Sequence, residues 1–111
     1  MDWQSQIRAE LDKAEQARSR GNEGQARVCA RRAAGIAVRE YFAWRGAAVR
    51  TPSAYDLLRT ISEDRALAAD LREAAAHLTL RVDEEFKLPA GVDLIAEARH
   101  LCQGLIELAK S

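Results

Sequence analysis

Few of the residues that announce a function by their presence occur in this 111-residue chain. It has two cysteines, two prolines, six glycines and 5% aromatic residues. Cys29 and Cys102 show no C-x-x-C spacing and have no paired histidines, so no zinc signature is present. Both fall on apolar helix positions and read as small buried hydrophobes, kept reduced in a cytoplasmic protein. So little proline and glycine excludes a collagenous or low-complexity chain. The longest apolar runs, such as Ala66-Leu67-Ala68-Ala69, are far shorter than the ~18 residues that span a bilayer. No signal-peptide core follows Met1, and no membrane association is expected. Glycine-rich phosphate loops, nucleophile elbows and metal-ligand clusters are missing too, so no cofactor or metal is expected.

What is present is alanine and balanced charge. Alanine occurs 22 times, and 17 basic residues face 17 acidic ones. The length suits one domain spanning 1–111. The neutrality conceals an asymmetry: residues 1–50 carry +4 and residues 51–111 carry −4. The stretch 18–50 is the sharpest, with eight arginines against Glu23 and Glu40. A basic face of this kind either attracts phosphate, with Arg31, Arg32 and Arg39 as the contacts, or is neutralised by acidic helices of the same fold.

Periodicity is helical throughout. Asp2 is a good N-cap for a helix running to about Arg20, with Trp3, Ile7, Leu11 and Ala14 on one stripe. Gly21-Asn22-Glu23-Gly24 then supplies a left-handed turn. The second helix, about Glu23 to Gly46, gathers Ala26, Cys29, Ala33, Ile36, Ala37 and Trp44 on a narrow face, with Ala30 and Tyr41 at its edge. Val28, Gly35 and Phe42 recur every seven residues on the other side. That second apolar line is either covered within the fold or meets a second copy, and it is the candidate homodimer interface.

After a loop from Ala47 to Pro52, Ser53 and Asp56 read as an N-cap and its N3 partner. A short helix with Leu57, Leu58 and Ile61 breaks around Glu63-Asp64. A helix over about 66–86 carries Leu67, Leu71, Ala74, Leu78 and Val82, and Leu88-Pro89-Ala90-Gly91 ends it. A last helix over about 93–109 buries Leu94, Ile95, Ala98, Leu101, Leu105 and Leu108. The expected fold is all-α: an antiparallel four-helix up-and-down bundle with one short extra helix.

The succession of Ala30-Arg31-Arg32-Ala33-Ala34-Gly35-Ile36-Ala37-Val38-Arg39-Glu40-Tyr41, Pro52-Ser53-Ala54-Tyr55-Asp56-Leu57-Leu58, Leu78-Thr79-Leu80-Arg81-Val82-Asp83 and Ala96-Glu97-Ala98 resembles the HEPN family of small prokaryotic helical domains over nearly the whole chain. The resemblance implies a homodimeric bundle, often acting with a small nucleotidyltransferase partner as a toxin–antitoxin pair, with RNA as the usual substrate. The family's ribonucleases carry an arginine and, four to six residues later, a histidine. Arg72 and His77 fit that spacing, but on one helix they point about 140° apart. Arg81 matches by context, with Lys87 where the histidine would stand. His77 itself reads as part of an exposed polar stripe with Glu73, Arg81 and Glu84 or Glu85. The expected function is therefore a non-catalytic or weakly catalytic HEPN-like module that binds RNA, a nucleotide or a nucleotidyltransferase. The alternatives are a tetratricopeptide-like scaffold for protein interaction, although no second copy recurs at 34 residues, and a metal-independent ribonuclease using Arg72 and His77.

Overall fold

A computed structural model of the chain describes residues 2–47, 51–80 and 92–110. These residues form five helices: α1 (Trp3–Ser19), α2 (Glu23–Trp44), α3 (Ala54–Ser62), α4 (Ala69–Leu78) and α5 (Leu94–Lys110).

Local chemistry sets the ends. The Asp2, Asn22 and Ser53 side chains accept from the amides of Ser5, Gln25 and Asp56, each satisfying an N-terminal donor that has no helical partner. Both α1 and α2 stop at a left-handed glycine, Gly21 at φ +77° and Gly46 at φ +74°. After Gly21, the Asn22 amide returns to the Ala17 carbonyl at 2.8 Å; after Gly46, the Ala47 amide returns to that of Phe42 at 2.9 Å. With the adjoining Gly21-to-Arg18 and Gly46-to-Ala43 bonds, this is the Schellman closure at both ends.

The expected 66–86 helix begins three residues late, at Ala69. The Asp64 carboxylate accepts from the Ala66 amide at 2.9 Å and holds that segment in a turn, a local competition that short acidic side chains win over the helix. Leu67 is buried all the same. The helix also ends early, at Leu78 with Thr79 as its C-cap; the remainder of that expectation, with Arg81, Val82, Glu84 and Glu85, lies outside the described residues.

α2 is the centre of the fold and packs on α1, α3 and α5, while α4 packs on α3 and α5. Its buried face is much wider than the stripe expected. Ala34, Gly35 and Val38 are buried alongside Ala26, Cys29, Ala30, Ala33, Ala37 and Tyr41. Trp44, expected inside, is 52% exposed at the last turn. The physical reason is that helices cover α2 on several sides, so no single apolar stripe describes it.

Ion pairs show the directions. Arg18 reaches Asp93 at 3.0 Å and Arg99 reaches Glu15 at 3.5 Å, so α1 and α5 run antiparallel. α3 runs with α2, because Ala54 lies against Gly35 and Asp64 pairs with Arg45 at 3.3 Å. A Cβ on Gly35 would stand 2.9 Å from that of Ala54, so the close approach of α3 depends on the missing side chain.

Candidate functional site

The covered side of α2 opens at its edge into a cleft of about 330 Å³. Arg32, Gly35, Ile36 and Arg39 occur at i, i+3, i+4 and i+7 and form one wall. Gln6 and Glu10 of α1 face them, and Pro52, Ala54 and Leu57 close the end. Glu40 also lines the cleft.

The two arginines are placed differently. Arg39 Nη2 donates to the Thr51 carbonyl at 3.3 Å. Thr51 in turn donates from its hydroxyl to Asp56 at 3.1 Å and accepts from the Ser53 amide at 3.1 Å. The turn leading into α3 thus steadies one guanidinium. Arg32 is exposed and makes no hydrogen bond or ion pair with any described residue. Glu10 has only 17% of its side chain exposed; one oxygen lies 3.5 Å from Lys13 Nζ. Its other oxygen is shut off from solvent without a partner among the described residues.

A half-open cleft of this size suits a small molecule. Two guanidiniums offer forked donors to phosphate, and two carboxylates offer acceptors to hydroxyls. Phosphate and hydroxyls together are the polar groups of the sugar-phosphate part of a nucleotide.

Arg31, expected beside Arg32 as a nucleic-acid contact, is engaged elsewhere. Its Nε donates to the Leu78 carbonyl at 2.8 Å and its Nη2 to that of Leu80 at 2.7 Å. Burial, and secondarily neighbouring Arg27, lower its pKa from the usual guanidinium value. The structure directs this arginine to the end of α4, where helix carbonyls lack partners, and takes it out of the basic face.

The candidate interface line is interrupted in the same way. Val28 is 39% exposed and Phe42 packs partly against the core, but Gly35 between them is buried beneath α3.

Arg72 and His77 are not brought together. Both lie on α4, five residues apart, and no element bends one toward the other. Arg72 Nε is buried without a hydrogen-bond partner among the described residues. His77 corrects the expectation of a freely exposed side chain, since only 28% of it is accessible. Its Nδ1 lies 3.1 Å from Glu97 on α5, and its Nε2 lies 3.7 Å from Glu73. The Glu97 contact is close but poorly aligned for a hydrogen bond, because that nitrogen has no bonded partner. Arg81 lies outside the described residues.

His100 lies on α5 one residue before the buried Leu101. It makes the shorter contact, Nε2 to Asp70 at 2.7 Å, and this bond holds the Asp70 carboxyl below its ordinary range. Both histidines therefore bridge α4 and α5 in opposite senses, which only the pairing of those helices could reveal.

Cys29 and Cys102 are buried and free. Cys102 touches the Ala33 carbonyl at 3.6 Å, and burial pushes its thiol up to about 12. Among the described residues no three His, Cys, Asp or Glu side chains gather as metal ligands, and no helix is long and apolar enough to cross a membrane.

No protein-family model, no curated protein and no solved structure matches the chain.

Proposed function

We propose that this chain is a HEPN-like helical module that binds a nucleotide, free or as a unit of RNA, without cleaving it. The observation that carries the reading is the α1–α2–α3 cleft, where Arg32 and Arg39 share a wall opposite Glu10. The guanidiniums take the phosphate, and Glu10 and Glu40 accept from the ribose hydroxyls. The absence of cleavage follows from α4. A base and a cation must converge within about 3 Å of one phosphodiester, whereas Arg72 and His77 diverge and His77 is held against Glu97.

In this reading α1, α2, α4 and α5 are the four members of an up-and-down bundle, and α3 is the extra helix. The module acts in the cytoplasm as a homodimer beside a small nucleotidyltransferase. Pairing of two copies uses the parts of the outer line of α2 that remain on either side of Gly35, Val28 and Phe42, because α3 already covers Gly35.

Titration of the protein with a nucleoside monophosphate, followed by calorimetry, tests the cleft. Micromolar to millimolar binding that Arg32→Ala and Arg39→Ala each weaken by about tenfold is expected, the loss of one charge-assisted contact. Binding that survives both substitutions unchanged refutes the assignment. Sedimentation of the parent beside Val28→Arg and Phe42→Arg tests the dimer.

A further inference from the structure

On the opposite flank of α1 lies a second, larger groove of about 560 Å³, between the first half of α1 and the second half of α5. Arg8, Arg99 and Lys110 line it, and no carboxylate does. Arg8 and Lys110 make no ion pair or hydrogen bond with any described residue, and Arg8 feels the Asp2 carboxylate only at longer range. Arg99 is shared with Glu15 only at 3.5 Å. At 1.5 Å per residue, Arg99 and Lys110 stand about 16 Å apart along α5, with Arg8 facing them from α1. The cations are strung along the groove rather than gathered at one point.

The floor decides what suits it. Ile7, Leu11 and Cys102 retain at most 7% of their surface and Ile106 is the one partly open apolar residue of the lining, so the groove holds no deep apolar pocket for the side chains that anchor a peptide. It has no Phe, Tyr or Trp on which a base could stack, the usual partner of a cationic groove that holds single strands. Its one imidazole, His100, is fastened to Asp70 at 2.7 Å. A ligand here must be held by charge repeated along its length.

We infer that the α1–α5 groove binds a linear oligophosphate, that is, a chain of inorganic phosphate units carrying neither bases nor side chains. This stands apart from the nucleotide cleft, which uses other residues on the other flank of α1.

The test is calorimetric titration of the whole chain with tripolyphosphate and with orthophosphate at low salt. Tripolyphosphate should bind at least about tenfold more tightly, and its affinity should fall steeply as salt rises. The Arg8→Gln/Lys110→Gln variant should lose about tenfold in tripolyphosphate affinity, while Arg32→Ala/Arg39→Ala should lose none. Both replaced side chains of the groove variant are exposed, and an unchanged thermal transition checks that it folds. Should the pair misfold, Arg8→Gln and Lys110→Gln are titrated singly against the same criterion. Equal affinity for the two anions, or undiminished binding by the folded groove variants, overturns the inference. So does an oligoribonucleotide or a glutamate-rich peptide that binds the groove more tightly than tripolyphosphate in an Arg8-dependent way. Failure of nucleoside monophosphate binding leaves this result untouched, which separates the two sites.

Discussion

Arg31 in the middle of α2 closes the end of α4, donating to the carbonyls of Leu78 and Leu80 at 2.8 and 2.7 Å. A side chain 47 residues earlier thus does for α4 what a glycine does for α1 and α2. Hydrogen bonds from a charged donor contribute about 1.5–3 kcal/mol each when their acceptors would otherwise be orphaned. Arg31→Met, which retains much of the stem and loses both bonds, should therefore destabilise the fold by about 3 kcal/mol in urea denaturation, the lower end of that range for a half-buried pair. Arg31→Lys should recover less than half of this, because one ammonium does not reproduce the planar fork. A neutral effect of Arg31→Met would show that water replaces the cap.

Gly35 supplies the second prediction. A Cβ there meets the Ala54 Cβ at 2.9 Å and its Cα at 3.4 Å, and backbone cannot step aside as a flexible side chain can. Gly35→Ala gains up to about 1 kcal/mol of helix propensity, yet overpacking costs about 1–3 kcal/mol. The net expectation is a loss of about 1 kcal/mol. Gly35→Ala/Ala54→Gly should be less destabilised than the sum of the single changes, and a double-mutant cycle reads that coupling.

The third prediction concerns acid. The Asp93 carboxylate accepts from the Ile95 and Ala96 amides at 3.0 and 3.3 Å and pairs with Arg18. Partial burial alone would raise its pKa; the Ala96 amide and Arg18 outweigh burial and hold it below the ordinary value. A carboxyl depressed in the folded state contributes stability above its unfolded pKa of about 3.9 and loses it as pH falls through the lower folded value. Asp93→Ala should cost about 1 kcal/mol at pH 7, the loss of a helix cap. The gap between parent and variant should narrow as pH falls below about 4. A gap independent of pH would assign the whole effect to something other than the ionised carboxylate.

The thiols give a fourth. With Cys102 at about 12 and buried, almost none of it is thiolate at pH 8, and only the thiolate is nucleophilic. Folded protein should label at Cys102 with iodoacetamide only as fast as it opens, whereas urea-unfolded protein should label promptly. Rapid labelling at Cys102 without denaturant would contradict the packing of α2 against α5.

Purified protein incubated with single-stranded and structured RNA should show no cleavage, and His77→Ala should behave as the parent does. Cleavage by the parent that His77→Ala abolishes would bring the enzyme reading back. Because His77 rests beside Glu97, its truncation should cost about 0.5–1 kcal/mol, somewhat more than for a fully solvated histidine.

Much of the fold was legible wherever its cause is local. Asp2 and Ser53 mark helix starts through their own side chains, and the Gly21-to-Gly24 turn marks a stop through its backbone; that Asn22 within it also caps α2 shows only in the structure. The reading faltered where the cause lies across the molecule. Trp44 shares a periodic stripe with Cys29 and Ala37, but the helix outruns its neighbours and leaves it in solvent. Ala34 and Val38 lie off that stripe and are buried because several helices surround α2. Of the arginines grouped by sequence, Arg32 and Arg39 share a cleft while Arg31 turns toward α4. Neighbouring positions in a helix point in different directions, and only the placement of α3 and α4 assigns each its partner. The second groove, with Arg8 and Lys110 more than a hundred residues apart, left no trace in spacing at all.

Asn22 ends one helix and begins the next, accepting from Gln25 while its own amide closes α1. This double use joins the most extensively packed helix pair through the shortest link. The loop to be closed is minimal, so this hairpin can assemble ahead of contacts such as Arg18 to Asp93 that span 75 residues. In kinetic terms, substitutions at Gly21 and Asn22 should chiefly slow refolding, whereas those at Asp93 should chiefly hasten unfolding. The turn would then be the place where the folding reaction begins, and α5 the strap that determines how long the folded state lasts.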